Sequence, residues 1–308
     1  MWFKNILFYR FTKPFEISSE TLEAQLAESP FKPCEASDIY QLGWSSPLQK
    51  HSDQLVHVCQ EYWMICLQKQ ERILPSSVVN EQVQEKVNAI EEEQHRKVTR
   101  KEKTEIKEEI TFQLLPKAFT KTTRHFAYLC PSKGYMIINT SSAKLADEFT
   151  SYLRKTIGSL PIKFPAVNQA PSSVMTHWVT KDASLPAELT LGYECELTSN
   201  GDEKGSIKYK GLELDQKQIE EQIQSGMEVT KLALDWRESI SFLLGSDLSI
   251  KRIKFGDMLQ EQLEDNNAED AASQFDAGFS IMCMEFDKLI PDILNAFGGE
   301  DTSAILEG

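Results

Sequence analysis

Apolar and polar residues follow two different periods along the chain. Residues 2–11 (WFKNILFYRF) are an apolar run interrupted by Lys4, Asn5 and Arg10, which reads as a first strand. Ser18 and Ser19 follow as cap residues for a helix running towards Ser29. A second strand at 134–139 (GYMIIN) leads to a helix from Ser142 to Ile157. Gly158 stops that helix, because glycine accepts the left-handed backbone of a helix end, and Pro161 starts the exit. Between these segments Val83, Val87, Ile90 and Val98 keep a loose helical spacing, and Ile106, Ile110 and Leu114 repeat it. The stripe lapses at 99–104, where charge dominates. Two helices with a joint are therefore predicted, the second ending before Pro116. Neither stripe is wide enough for deep burial, so the pair reads as a protruding arm.

The second half reads mostly as strands. Residues 207–210 (IKYK) precede the turn-permitting Gly211, and 229–236 (VTKLALDW) put Leu232, Leu234 and Trp236 on one face. Residues 239–244 and 248–255, around Gly245-Ser246-Asp247, predict a hairpin. At the end, 279–284 is expected as a strand and 287–297 as a helix closed by Gly298-Gly299. The expected fold class is α+β with mixed sheets and a protruding helical arm. Its expected regions are 1–75 with 118–175, an arm at 76–117, and 176–308.

Charge changes this picture more than composition does. The 308 residues are 41% hydrophobic, enough for packed cores. The formal net charge is −14, but residues 256–308 hold thirteen acids against the single base Lys288. The rest is close to balanced, and residues 94–124 hold nine bases against four acids. Such asymmetry lets one surface attract an anionic partner while another repels it, although a solvated helix face carries the same pattern.

Catalytic and export signatures are missing. His51-Ser52-Asp53 has triad residue types, but neighbours in one loop cannot converge as a triad. The five histidines show no HExxH spacing, and neither GxxxxGK[ST] nor GxGxxG occurs. The acid pairs near the C-terminus suit a solvated face better than a cation site. No catalytic residue, metal site or cofactor is expected. The six cysteines lack CxxC spacing, as free thiols in a reducing cytoplasm would. Nothing approaches 18 continuous apolar residues, so no membrane span is expected.

Nucleic-acid contact has better support. Period two places Lys208 and Lys210 on one face of a strand, and Arg252 and Lys254 on one face of another, with Ile207, Tyr209, Ile253 and Phe255 opposite. With Lys117, Lys121 and Arg124 these could line one groove, and Arg96, Lys97, Arg100 and Lys101 of the arm are further candidates for DNA contact. Such charges suit phosphates, which give affinity without reading sequence. Ordinary solubilising lysines on exposed strands show the same alternation.

Several strings resemble the RdgC family: Met1 to Asn5, Phe31-Lys32-Pro33-Cys34, Gly43-Trp44, His51-Ser52-Asp53, Ile73-Leu74-Pro75-Ser76 and Leu114 to Phe119. Gly158-Ser159-Leu160-Pro161, Phe275-Asp276-Ala277 and Gly298-Gly299-Glu300 extend the likeness, and VTKLALDW at 229–236 is its most specific string. The resemblance covers essentially the whole chain. It implies a cytoplasmic, nucleoid-associated protein that binds double-stranded DNA with little sequence preference, leaving single-stranded DNA open as a second ligand. It further implies a ring-shaped homodimer with a basic inner surface that limits RecA access and affects replication-fork repair, with no cofactor and no catalysis. Leu115 and Phe119 are then the candidates for the dimer contact. The acidic C-terminal part would face outward. Gly211 and Leu212 stand where relatives are more polar or basic, which puts a DNA or interface role there in doubt. The competing expectation is a protein that antagonises RecA or fork proteins by direct contact, with DNA binding incidental.

Overall fold

A computed structural model describes residues 2–180, 184–199, 205–211, 216–264 and 270–303. The first half of the chain builds one sheet. In order come β1 (Leu7–Phe11), α1 (Ser19–Ala27), β2 (Tyr40–Ser45), β3 (Val56–Cys59), β4 (Tyr62–Ile73), α2 (Ser76–Gln94) and α3 (Arg100–Leu114). They are followed by β5 (Phe119–Cys130), β6 (Tyr135–Ile138), α4 (Ala143–Ile157) and β7 (Ile162–Lys163). The strand order is β2-β4-β5-β6-β1-β7, and β3 pairs with β4 beyond the end of β2. Helices α1 and α4 cover one face, sealing Leu22, Leu26, Phe149 and Leu153 against Ile65, Leu67, Ala127 and Leu129. Ser18 and Ser142 cap the two helices through their hydroxyls, and Gly158 ends α4 at φ 81°, as its position in the sequence predicts.

The second sheet is built from α5 (Pro171–Trp178), β8 (Leu189–Ser199), β9 (Ser206–Lys210), α6 (Gln216–Gln224), β10 (Met227–Trp236), β11 (Ile240–Gly245) and β12 (Ile250–Phe255), before α7 (Asp257–Glu264) and α8 (Ala271–Ala296). Its order is β12-β11-β10-β8-β9. One apolar core unites its inner face, the second face of the first sheet, and α8. The bridge Ile6↔Ile250 ties the sheets together directly. Every ladder between named strands is antiparallel, so the sheets are antiparallel where mixed pairing was expected.

The expected strand at 279–284 is wrong. Those residues lie inside the 26-residue α8, which Asp270 caps through a carboxylate that accepts from the Ser273 N–H. The run FSIMCM is apolar apart from Ser280, and one polar residue does not separate period two from period 3.6. Burial at Phe279, Met282, Cys283, Phe286, Leu289, Ile290 and Ile293 follows the helical period. Helix α8 is fastened to both sheets. The Asp287 carboxylate accepts from the Tyr62 and Tyr135 hydroxyls and from the Lys133 ammonium of the first sheet. Asp292 accepts from the Trp236 indole of the second at 2.8 Å. Burial would push the Lys133 pKa down, but its bonds to Asp287 and Glu61 reverse that and raise it.

The arm is an elaborated hairpin connection. Strands β4 and β5 pair without a slip from Trp63↔Leu129 to Ile73↔Phe119, and α2 and α3 are inserted at their far end. Val79, Val83 and Val87 pack on Ile106 and Ile110 as a small separate core. The joint lies at His95 to Thr99, just before the charged lapse in the pattern. His95 takes φ 52° and Thr99 caps α3 in a reciprocal box with Glu102.

Candidate nucleic-acid interface

The outer face of the second sheet gathers cations around a hollow. Alternation along β9 exposes Lys208 and Lys210 and turns Ile207 and Tyr209 to the core, as expected. In β12, Ile250, Ile253 and Phe255 are buried, a spacing that demands one extra residue. That residue sits in a bulge: Leu243 pairs with Lys251 and Ser241 with Lys254, while Arg252 takes φ 53°. A non-glycine residue there costs about 1 kcal/mol or more. The bulge is held by the Arg252 N–H on Asn5 Oδ1 at 3.1 Å and the Ile253 N–H on the Lys4 carbonyl at 2.8 Å.

Arg252 then reaches across the sheet. Its guanidinium grips both oxygens of Glu194 in β8, at 2.8 and 2.7 Å, although β11 and β10 lie between the two strands. Such reach requires the sheet to curl. Register shifts in β8–β10 and β11–β12 supply the curvature. Lys208 adds a third contact to Glu194, at 2.9 Å. The Glu194 side chain is 9% exposed, and hydrogen bonding from Arg252, then Lys208, lowers its pKa to about 2 against the cost of burial. Lys231 pairs with Glu196 at 2.7 Å. Lys210, Lys251 and Lys254 make no ion pair among the described residues. Lys251 escaped the sequence reading because the bulge at Arg252 hides its parity, Lys231 was legible on the face opposite Leu232 but was not singled out, and nothing in the sequence marks Glu194 as the hub.

The other predicted cations do not join this surface. Lys121 and Arg124 fall on opposite faces of β5, since its register with β4 is unbroken. A single groove through Lys117, Lys121 and Arg124 is therefore not formed within the sheet. Arg124 is also committed: it donates to the Ser46 carbonyl and stacks over Phe126 at 4.9 Å. Lys117 and Lys121 are exposed. At the arm tip, Arg96 binds both oxygens of Glu102 at 2.9 and 2.6 Å, and Lys97 binds Glu91 at 2.8 Å. Lys101 lies 4.0 Å from Glu105. Glu102 is driven down to about 2, first by Arg96 and then by the Thr99 N–H and hydroxyl. Of the four expected tip cations, Arg100 alone has no ion pair among the described residues. Three of the four tip cations thus already have an acidic neighbour within the arm.

The two expected interface residues differ in kind. Phe119 is 85% exposed at the arm base, beside its register partner Ile73, also exposed, which the sequence reading missed. Leu115 is 5% exposed and buried within its own chain, because the turn at 115–117 folds it under the end of α3. Gly211 ends β9 in the left-handed region at φ 81°, which explains a glycine there. Leu212 lies outside the described residues, as do 265–269 and 304–308 of the acidic C-terminal part. Among the described residues no helix is long and apolar enough to cross a membrane.

A family model described as "Putative exonuclease, RdgC" matches residues 1–300. The recombination-associated protein RdgC of Aeromonas hydrophila is 44% identical over 303 residues, covering 98% of this chain and 100% of its own. That of Psychromonas ingrahamii is 43% identical over 302 residues, 98% of this chain and 100% of its own. That of Pseudomonas putida is 42% identical over 302 residues, 98% of each. The relatives are named for recombination, and only the family description mentions an exonuclease. With the match running from the first strand to the glycines after α8, the chain belongs to the RdgC family.

Proposed function

We propose that the protein acts in DNA recombination as a ring-shaped homodimer that encloses double-stranded DNA without reading its sequence. By occupying the duplex it limits RecA access and modulates recombination and fork repair. It works in the cytoplasm on the nucleoid, without catalysis or a cofactor. The observation that carries this reading is the hollow of the second sheet, where Lys208, Lys210, Lys231, Lys251, Arg252 and Lys254 share one surface. Cations on strands neutralise phosphates and do not need base edges. The exposed Phe119 and Ile73 support an association between copies, since an apolar edge of this kind gains by burial. The recombination name of the relatives supports the biological setting.

Titration of salt against affinity tests the proposal. Six phosphate contacts give a log–log slope of about −5. Two unrelated duplexes of equal length should share that slope and agree in affinity within about twofold. A slope near zero or a strong sequence preference would contradict it. In the same buffers with Mg²⁺, an end-labelled duplex should keep its length. Shortening that survives repurification would establish the exonuclease reading instead.

A further inference from the structure

The hollow holds more than charge. In β8, Cys195 pairs with Leu232 and Leu191 with Leu234, so Gly192, Tyr193 and Glu194 together oppose Ala233. This bulge pushes the Tyr193 ring out to 65% exposure, while its carbonyl is held by the Gly211 N–H at 3.0 Å. Gly192 permits the close approach: a Cβ there would lie 2.9 Å from that of Ala233. The backbone under the ring is therefore fixed and the ring itself is uncovered. An aromatic of this size is normally turned inward, so an exposed one on a rigid bulge calls for a partner.

Its neighbours describe that partner. Tyr193 lines a groove of about 680 Å³ with Lys210, Arg252 and Lys254. Asp235 lines the same groove, and its Oδ1 is buried without a hydrogen-bond partner. Burial raises the Asp235 pKa, against a backbone hydrogen bond from Glu238 that lowers it. A flat ring and several cations match two parts of a nucleotide, the base face and the phosphate.

We infer that this groove takes an unpaired nucleotide of a DNA strand, with its base stacked on Tyr193 and its phosphates on Lys210 and Lys254. The inference rests on the DNA-binding reading above and adds a contact that only unpaired bases can make. Within a duplex, base faces are covered by their neighbours, so a duplex meets the cations and not the ring.

The test uses the full-length protein with a short oligothymidine, an abasic strand of equal length and a paired duplex of equal length. Tyr193→Ala should weaken oligothymidine binding about tenfold and duplex binding less than about twofold, while Tyr193→Phe retains both. Wild type should bind the abasic strand about as weakly as Tyr193→Ala binds oligothymidine, and the variant should lose nothing further on the abasic strand. Unchanged oligothymidine affinity in Tyr193→Ala, or an equal loss on the duplex, would overturn the stacking site and leave duplex binding standing. Failure of the wild type to bind any of the three would remove the DNA-binding function and this site with it.

Discussion

Replacing Lys210 and Lys254 by glutamine removes two cations that have no acidic partner among the described residues. Each neutralised phosphate contributes about −0.9 to the slope of log affinity against log salt. The double variant should therefore be shallower by about 1.8 for each protomer that lies on the duplex. Between 50 and 200 mM salt, a fourfold range, the wild-type advantage then shrinks roughly twelvefold per protomer. Lys208 supplies the contrast, because its ammonium already sits on Glu194 at 2.9 Å beside the two-point grip of Arg252. A phosphate must displace that carboxylate to gain Lys208, so Lys208→Gln should alter the slope by less than about half the amount lost per free lysine. Fluorescence anisotropy on a labelled duplex across five salt concentrations measures all three proteins. Circular dichroism confirms that the folds match. A slope for Lys210→Gln with Lys254→Gln that parallels wild type would mean that DNA does not lie across this sheet. A larger change in Lys208→Gln would mean that the ion pairs do not shield their cations.

Two further outcomes follow from the same geometry. The Glu194 pKa falls from the usual 4.5 to about 2 on folding, so its contribution is present above 4.5 and is lost as pH drops through about 2. A drop of that size corresponds to roughly 3 kcal/mol. In urea unfolding between pH 5 and pH 2, wild type should lose more stability than Glu194→Gln by about that amount, and parallel curves would refute the assignment. At the arm base, Phe119→Asp should raise the dimer dissociation constant about 30-fold, the effect of losing about 2 kcal/mol at an interface anchor. Sedimentation equilibrium that shows the same association constant would take Phe119 out of the contact.

Local signals were legible in the sequence and long-range ones were not. Ser142 and Gly158 mark both ends of α4 because caps act within one turn. The valines and isoleucines of the arm announce α2 and α3, and alternation at 207–210 gives the exposed face of β9. The apolar run at 279–284 misled because its neighbours, not its own pattern, make it helical. Site residues were harder still. Lys208 and Arg252 were visible as cations, but the carboxylate that joins them comes from β8, more than fifty residues from Arg252. Net charge at the arm tip also overstated what is available, because Glu91 and Glu102 are folded back onto Lys97 and Arg96. Tyr193 carried no sequence signal, since the bulge that exposes it depends on register with β10.

Encirclement is tested most directly by comparing a short linear duplex with a covalently closed circle of the same sequence. Protein is loaded at low salt, and both complexes are then challenged with high salt that abolishes new binding. A closed ring slides off the free ends, so the linear duplex should lose its protein while the circle keeps it, and cutting the circle should release it. Equal loss from both substrates would contradict encirclement and leave an open basic hollow as the binding surface.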